Sequence, residues 1–321
     1  MRPALAHINH KAVWQFVLDN TVLFAFVVLI VGLTLASPYF LTSHNVLNIL
    51  LHASPFVLLG LGELAVVLVS GIDLSVGSIV GLSGVLFAFF TSALGIPWPL
   101  SILIAAVICS VLGLLQGAII NYFNVADFVA TLAGLSIFRG ITLIITQGHP
   151  ISDLPDHFNY IGQGFIGPIP FPVLLMFVLW VGTAYWLSNT RSGIHVYAIG
   201  GGRTAALRSG IRVKRKRMYI YGFSAFMASI AGFIVAARLG TAEPTAGANY
   251  ELSAIAAVVI GGTSLFGGRG TAWGAALGAL ILATILDGLT LLNVSPFYTE
   301  LVQGLIIVAA VLLDNIRRQS A

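Results

Sequence analysis

Long apolar runs alternate with short polar connections along the whole chain. Each run is roughly 20 residues long, the length that an α-helix needs to cross the hydrocarbon core of a bilayer. Lipid offers backbone amides no hydrogen-bond partners, so such segments cross the membrane as helices. The pattern therefore predicts an all-α polytopic membrane protein with about ten transmembrane helices in a single domain, residues 1–321. We place these helices at residues 19–36, 50–69, 76–94, 98–121, 127–146, 171–188, 218–239, 252–267, 271–292 and 297–314.

The composition excludes a large soluble domain. Of the 321 residues, 58% are hydrophobic and 8% are charged, whereas a soluble domain carries about 25% charged residues. Because so few charges do not cover a water-facing surface, most of the outside must face lipid. The single cysteine, Cys109, excludes an intramolecular disulfide.

The basic residues of the connections predict the orientation. Residues 191–217 contain eight Lys and Arg residues and no acidic residue, whereas residues 147–172 contain Asp153 and Asp156 but no Lys or Arg. Since basic connections stay in the cytoplasm, we place a loop at about 190–217 there and an irregular loop at about 147–170 on the opposite side. Ten spans then leave both termini in the cytoplasm. The basic loop suits the anionic headgroups of membrane lipid, and we expect no nucleic-acid partner.

Motifs of soluble enzymes are absent from the sequence. It contains no G-x-x-x-x-G-K-[ST] phosphate loop, no H-E-x-x-H, no G-x-S-x-G and no C-x-x-C. The glycines at 200–202 lack the preceding strand of a dinucleotide-binding fold. We therefore expect no catalytic site, no bound metal and no cofactor, and we expect that the chain is not an enzyme.

Ionisable residues inside predicted spans are costly in lipid and are therefore candidates for function. Glu63, Arg139 and Asp287 are of this kind. We expect Glu63 and Arg139 to be buried in the bundle, with one or both in an ion pair or capping backbone carbonyls, or lining a transport pathway. A secondary transporter that uses these three residues as a proton relay is the alternative function. A membrane-embedded enzyme lacks a catalytic cluster.

A glycine-rich interruption separates the second and third predicted spans. Gly71 is placed to end one helix, and Asp73 or Ser75 is placed to cap the next. Counted from residue 50, Asp73 lies at the cytoplasmic end of the span, beyond the hydrocarbon. Interrupted helices are common in transport pathways, so Gly71, Asp73, Ser75 and Gly77 are candidate hinge or pathway residues.

A short sequence echo connects this interruption to a second one. The stretch AVVLVSGIDLSVG at 65–77 is similar to AVVIGGTSLFGGRG at 257–270. Echoes of this kind occur in transporters built from repeated halves, although two short glycine-rich stretches also match by chance. Gly261, Gly262 and Thr263 join the candidate pathway residues on this basis.

Five longer stretches resemble the membrane permease subunit of ribose-type ATP-binding-cassette (ABC) sugar importers. The resemblance extends from about residue 38 to residue 314 in the order of the family. Two features depart from the family pattern: Gly202–Arg203 replaces a common Asn–acidic pair, and Ser253 replaces a common Asp. The matching stretches are SGIDLSVGS (70–78), FVATLAGLSIFRG (128–140), AIGGGRTAALRSGI (198–211), ARLGTAEPTAGANYEL (237–252) and AIAAVVIGGTSLFGGRGT (254–271).

The resemblance implies a permease that forms a sugar pathway across the bacterial inner (plasma) membrane. Its implied partners are a cytoplasmic ABC ATPase, a periplasmic sugar-binding protein and a second permease copy, either identical or a close paralogue. Pentoses and hexoses are the expected substrates, and related permeases carry polyols and sugar-like signals. Glu243, Tyr250 and Glu251 are candidates for docking the binding protein.

The resemblance also implies a short cytoplasmic helix that couples the permease to the ATPase. The matching residues are 203–210, where Thr204 is placed to start the helix and Gly210 to end it. Ala205 and Ala206 expose little side chain, so we expect them and Gly210 to make close contacts with the ATPase. The candidate coupling residues are Arg203, Thr204, Ala205, Ala206, Arg208, Ser209 and Gly210.

Overall fold

The computed structural model describes residues 21–295 and 297–319, and in this part of the chain it is almost entirely helical. The expectations for residues 1–20, including the first two residues of the first predicted span, lie outside the described residues. The helices are α1 (Thr21–Ala36), α2 (Ser43–Leu68), α3 (Val76–Ala88), α4 (Trp98–Tyr122), α5 (Asp127–Thr146), α6 (Asp156–Gln163), α7 (Phe171–Asn189), α8 (Arg191–Gly201), α9 (Arg203–Arg208), α10 (Val213–Leu239), α11 (Tyr250–Ile260), α12 (Ala272–Leu291) and α13 (Phe297–Gln319).

Seven helices in the described ranges are long and apolar enough to cross a membrane. The prediction of an all-α polytopic membrane protein is therefore confirmed. A π-helical turn at Phe89–Ala93 extends α3 to crossing length. The seven are α2, α3 with its extension, α4, α5, α7, α10 and α12.

The predicted span at 252–267 is wrong in its second half. Helix α11 ends at Ile260 and has 11 residues, which corresponds to a length of roughly 16 Å. Residues 261–271 leave the helix in turns rich in glycine, and this backbone is irregular up to the start of α12. The sequence is apolar across both parts, so its hydropathy did not reveal the end of the helix.

Helix α10 occupies the centre of the bundle and packs against α2, α3, α4 and α6. Its contact with α4 is close because Gly113 and Gly117 lie one turn apart on the same side of α4. A Cβ atom at Gly113 would lie 2.5 Å from the Cβ of Ala225 and 2.6 Å from the carbonyl oxygen of Tyr221. Small residues four apart let two membrane helices approach in this way.

The loop at 147–170 is more ordered than the irregular loop that we predicted. It contains α6 and a small antiparallel hairpin formed by β1 (Phe165–Ile166) and β2 (Ile169–Pro170). The Gln163 amide donates hydrogen bonds to the carbonyls of Ala237 (3.0 Å) and Arg238 (3.2 Å) at the end of α10. This loop therefore closes one end of the bundle.

Candidate functional site

Helix α2 ends at a left-handed residue, and that residue is Ser70 (φ +57°). The Gly71 amide donates to the Val66 carbonyl (3.0 Å), and the Ser70 amide donates to the Val67 carbonyl (2.8 Å). These two bonds form a Schellman motif, which satisfies carbonyls that the helix end would leave free. The prediction that Gly71 ends the helix is thus wrong by one residue.

Helix α11 ends in the same way at the position that the sequence echo predicts. Gly262 is left-handed (φ +83°), its amide donates to the Val259 carbonyl (2.9 Å), and the Thr263 amide donates to the Val258 carbonyl (3.0 Å). The four residues of this motif align with those of the α2 motif in the echoed stretches. The similar sequences therefore form similar helix ends.

The end of α2 contacts the turns that follow α11. The Gly268 amide donates to the Leu68 carbonyl (3.0 Å), and the Ser70 hydroxyl donates to the carbonyl of Phe266 (2.8 Å). Helix α8 completes this junction, since a Cβ atom at Gly200 would lie 1.8 Å from the Leu68 carbonyl oxygen.

A phenol from α8 also binds the second interruption. The Tyr197 hydroxyl donates to the Gly270 carbonyl (2.9 Å), and burial raises the pKa of this phenol above its usual value. The hydroxyl therefore stays protonated and keeps its donor. The basic loop that contains α8 is thus in direct contact with the second helix interruption.

After Gly71 the chain turns back into the bundle, where Asp73 is almost completely buried (1% exposed). One carboxylate oxygen accepts hydrogen bonds from the Ser75 amide (3.0 Å), the Ser75 hydroxyl (2.6 Å) and the Gln116 amide (3.2 Å). The other oxygen accepts from the Ser224 hydroxyl (2.9 Å). Four donors from three parts of the chain thus converge on one carboxylate.

This arrangement corrects both predictions for the Asp73 region. Ser224 lies eleven residues after the start of α10 at Val213, or roughly 16 Å along the helix, so Asp73 lies inside the bundle and not beyond the hydrocarbon. Ser75 precedes α3, but its side chain forms no capping bond. Asp73 accepts the Ser75 amide in a local turn before the helix begins.

Glu63 is fully buried beside Asp73, as we predicted, but it forms no ion pair with any residue that the structure describes. One of its oxygens accepts a hydrogen bond from the Asp73 amide (3.2 Å). The other oxygen is buried without a hydrogen-bond partner among the described residues. Two carboxylates, one from α2 and one from the turns between α2 and α3, therefore lie close together in the interior.

Within the described ranges, an ion pair joins Arg217 to Asp127, and the sequence analysis missed it. Arg217 also donates to the side-chain oxygen of Asn121 (3.0 Å), and the Tyr221 hydroxyl donates to Asp127 (2.8 Å). A Cβ atom at Gly71 would lie 2.7 Å from the Tyr221 hydroxyl. This cluster secures α4, α5 and α10 next to the α2 end. Asp127 and Arg217 are ninety residues apart, so spacing gave no signal for their contact.

Arg139 is half-buried and caps backbone carbonyls. This is one of the three roles that we considered for it, the others being an ion pair and a place in the pathway. Its guanidinium donates to the carbonyls of Pro244 and Ala246 in the connection between α10 and α11. Gly77 and Gly81 of α3 let this connection approach, since a Cβ atom at Gly77 would lie 2.5 Å from the Gly247 carbonyl oxygen.

Two of the three candidates for docking the binding protein are partly turned into the bundle. The ring of Tyr250 packs on Phe56 with a centroid separation of 4.9 Å, and a carboxylate oxygen of Glu251 would lie 2.1 Å from a Cβ atom at Gly77. Glu243 instead accepts a hydrogen bond from the exposed Thr245 hydroxyl (2.9 Å). All three candidates are therefore partly buried.

The predicted coupling helix is present as α9, but it starts at Arg203 rather than Thr204 and ends at Arg208. Gly210 follows with φ +81°. Ala206 is buried in the protein's own core (3% exposed), so the expected contact between Ala206 and an ATPase is wrong for this conformation. The neighbouring Leu207 is 53% exposed. Sequence reasoning missed it because it weighed small residues and not exposed apolar ones.

Replacing Asp73 with alanine is expected to lower the free energy of unfolding by about 3 kcal/mol or more, because several buried donors lose their acceptor. Ser83→Ala is the matched control, since the buried Ser83 hydroxyl donates only to the Val80 carbonyl of its own helix (3.0 Å). Thermal unfolding of both variants in lipid nanodiscs measures the difference. Equal losses in the two variants would contradict the role of Asp73 as the organiser of this cluster.

Comparison with known proteins shows which family the chain resembles. A family model described as a permease component of branched-chain amino acid transport systems matches residues 45–311. The ribose import permease protein RbsC of Haemophilus influenzae is 39% identical over 305 residues, which cover 94% of each chain. The ribose import permease of Bacillus subtilis is 43% identical, covering 92% of this chain and 91% of that protein.

A third relative, the D-allose transport system permease protein AlsC of Escherichia coli, is 40% identical, covering 91% of this chain and 89% of that protein. No solved structure matches the chain. Both the family model and the relatives cover nearly the whole bundle, including both helix interruptions and α9. The chain therefore belongs to the ribose-type family of ABC importer permeases.

Proposed function

We propose that this chain is the permease subunit through which a monosaccharide or a related sugar crosses the bacterial inner membrane. The observation that carries the proposal is the polar, interrupted backbone around Asp73, which is built into an otherwise apolar bundle. Non-helical backbone at membrane depth is tolerated where protein encloses it or where it lines a passage. Relatives that are named for ribose and allose permeases support a sugar as the substrate.

Ten crossings with both termini in the cytoplasm are part of this proposal. Three further elements add to the seven long apolar helices: α1, α11 with the turns that follow it, and α13. The eight basic residues at 191–217 support a cytoplasmic location for the loop that contains α8 and α9.

Energy for transport is assigned to a separate cytoplasmic ABC ATPase, because the chain lacks a phosphate loop. Its docking site is α9, with Arg203, Thr204, Ala205 and Arg208, together with Ser209 and Gly210 that follow it, and Leu207 is its apolar anchor. A periplasmic sugar-binding protein delivers the substrate on the opposite face, where Glu243 is a candidate contact. A second permease copy completes the assembly.

The groove between α4 and α5 is our candidate for the surface that faces the second copy. It forms a cavity of about 340 Å³, apolar except for Gln116 at its base. The Gln116 amide nitrogen donates to Asp73 and to the Ser75 hydroxyl (3.0 Å), and its side-chain oxygen is buried without a partner among the described residues. This oxygen is available to a sugar hydroxyl when the groove opens.

The geometry does not favour the alternative of an ion-coupled secondary transporter. A proton relay needs ionisable groups within reach of one another, but the three candidates have separate partners. Arg139 binds backbone carbonyls, Asp287 accepts from the Asn45 amide (2.9 Å), and Glu63 binds the Asp73 amide.

The proposed function is tested by sugar uptake into proteoliposomes. The expected result is uptake of at least one sugar from a panel of pentoses, hexoses and polyols only when the ATPase, the binding protein and ATP are all present. The purified chain alone is expected to hydrolyse no ATP. ATP turnover by the chain alone, or uptake driven by an ion gradient without the ATPase, would overturn the proposal.

The docking role of α9 is tested with Leu207→Ser. We expect this variant to insert normally but to bind the ATPase about tenfold more weakly or worse, because burial of an anchoring leucine side chain at an interface contributes about 1.5–3 kcal/mol. Ile194→Ser is the matched control, since Ile194 is similarly exposed (58%, against 53% for Leu207) on the neighbouring α8. Co-purification with the ATPase measures binding. An unchanged affinity for Leu207→Ser would remove Leu207 from the docking site.

A further inference from the structure

A basic cavity of about 430 Å³ lies at the cytoplasmic start of α10, beside α8. None of its lining residues is acidic, and in the described part of the chain the one ion pair joins Arg217 to Asp127, outside this cavity. Its positive charges therefore have no carboxylate partner among the described residues. The lining residues are His195, Gly210, Ile211, Arg212, Arg215, Lys216 and Tyr219.

The cationic side chains of this cavity are held in place by neighbours. The Lys216 ammonium donates to the Ser192 hydroxyl (3.0 Å). The Arg215 guanidinium donates to the Tyr219 hydroxyl (3.0 and 3.1 Å) and lies 5.5 Å from the centre of the same ring. The Nδ1 atom of His195 is buried and lacks a hydrogen-bond partner within the described ranges. The cavity is thus lined by cationic donors that are already in position and that meet no anionic acceptor among the described residues.

A second, apolar cavity of about 200 Å³ adjoins the basic one. Lys216 and Tyr219 line both cavities, so the two lie side by side, and we call them together the cleft. The other lining residues of the second cavity are Trp186, Ser192, Val196, Ile220 and Phe223. The cleft is therefore cationic at one end and apolar at the other.

The cleft lies at the expected depth of lipid headgroups. The chain changes from basic to apolar within residues 212–220, and the exposed Tyr219 and Tyr122 lie at this boundary. The Lys214 ammonium is 5.8 Å from the centre of the Tyr122 ring. Tyrosines and basic side chains are enriched at this level of membrane proteins, and basic pockets between helices on this side bind anionic headgroups.

We propose that this cleft binds one anionic phospholipid, with its phosphate in the basic cavity and the first part of an acyl chain in the apolar one. The apolar cavity beside the basic one favours a lipid over a free phosphate, because a free phosphate would leave the apolar cavity empty. The cleft shares Gly210, Ile211 and Arg212 with the segment that connects α9 to α10. A bound lipid therefore orders this segment and holds α9 in its observed position.

The test compares two double variants that remove the same charge from the same loop. Arg212→Gln/Lys216→Gln removes two cleft residues, whereas Arg191→Gln/Arg208→Gln removes two exposed residues outside it. Native mass spectrometry with phosphatidylglycerol measures binding. We expect about thirtyfold weaker binding for the cleft variant, because each of its two basic residues contacts the headgroup and contributes about fivefold to the affinity. We expect little change for the control, whose two residues lie outside the cleft.

Two further arms separate the sources of the anion. Phosphatidylcholine and inorganic phosphate replace phosphatidylglycerol, and we expect neither to bind the wild-type protein comparably. If the double variant does not fold, Ser192→Leu takes its place. This substitution narrows the apolar end and removes the hydrogen-bond partner of Lys216, so we expect it to weaken phosphatidylglycerol binding. Equal losses in the two double variants, or equal binding of inorganic phosphate, would overturn the proposal.

Discussion

The structure depends on one constraint: a helix that ends within a chain of packed membrane helices must find partners for every backbone group that it frees. An amide or carbonyl that is buried without a partner costs several kcal/mol. Helices α2 and α11 meet this requirement with the same pair of turn hydrogen bonds. The close approach of Gly71 to Tyr221, and of Gly77 to Gly247, follows from the same need to keep irregular backbone packed against protein.

The polar side chains of the interior connect the irregular backbone to the helices around it. Asp73 accepts hydrogen bonds from its own turn, from α4 and from α10, and Arg139 holds the connection before α11. The junction of Leu68, Gly268 and Gly200 then brings α8 against both interruptions. A displacement of α8 therefore acts directly on the two interruptions, as the proposed coupling to an ATPase requires.

The sequence was sufficient for the fold class and for the interruption between α2 and α3, because hydropathy and glycine content are local properties. Only the sequence echo pointed to the second interruption, since the predicted span at 252–267 ran through it. It also placed Glu63 in the interior, since a charge inside an apolar helix is too costly to face lipid. It failed where the answer depended on contacts between distant residues. The Arg217–Asp127 pair, the inward-facing Ala206 and the depth of Asp73 all follow from how helices pack, and neither spacing nor composition records that packing.

Helix boundaries failed for a related reason. The end of α11 at Ile260 lies within a stretch that is apolar on both sides, so only the turn hydrogen bonds distinguish helix from loop. At α2 the left-handed position fell to Ser70 although a glycine was adjacent. The Ser70 hydroxyl is needed there to bind the second interruption, and a glycine would not supply it.

The central claim is that the backbone of the two interruptions is held by hydrogen bonds within the protein and does not form open loops. Amide hydrogen exchange of the permease in lipid nanodiscs, resolved at Ser70, Gly71, Gly262 and Thr263, tests this claim most directly. The account predicts that these four amides are protected to nearly the same degree as the last turns of α2 and α11, because each donates to a backbone carbonyl inside the protein. Exchange at the rate of an unstructured peptide would contradict it.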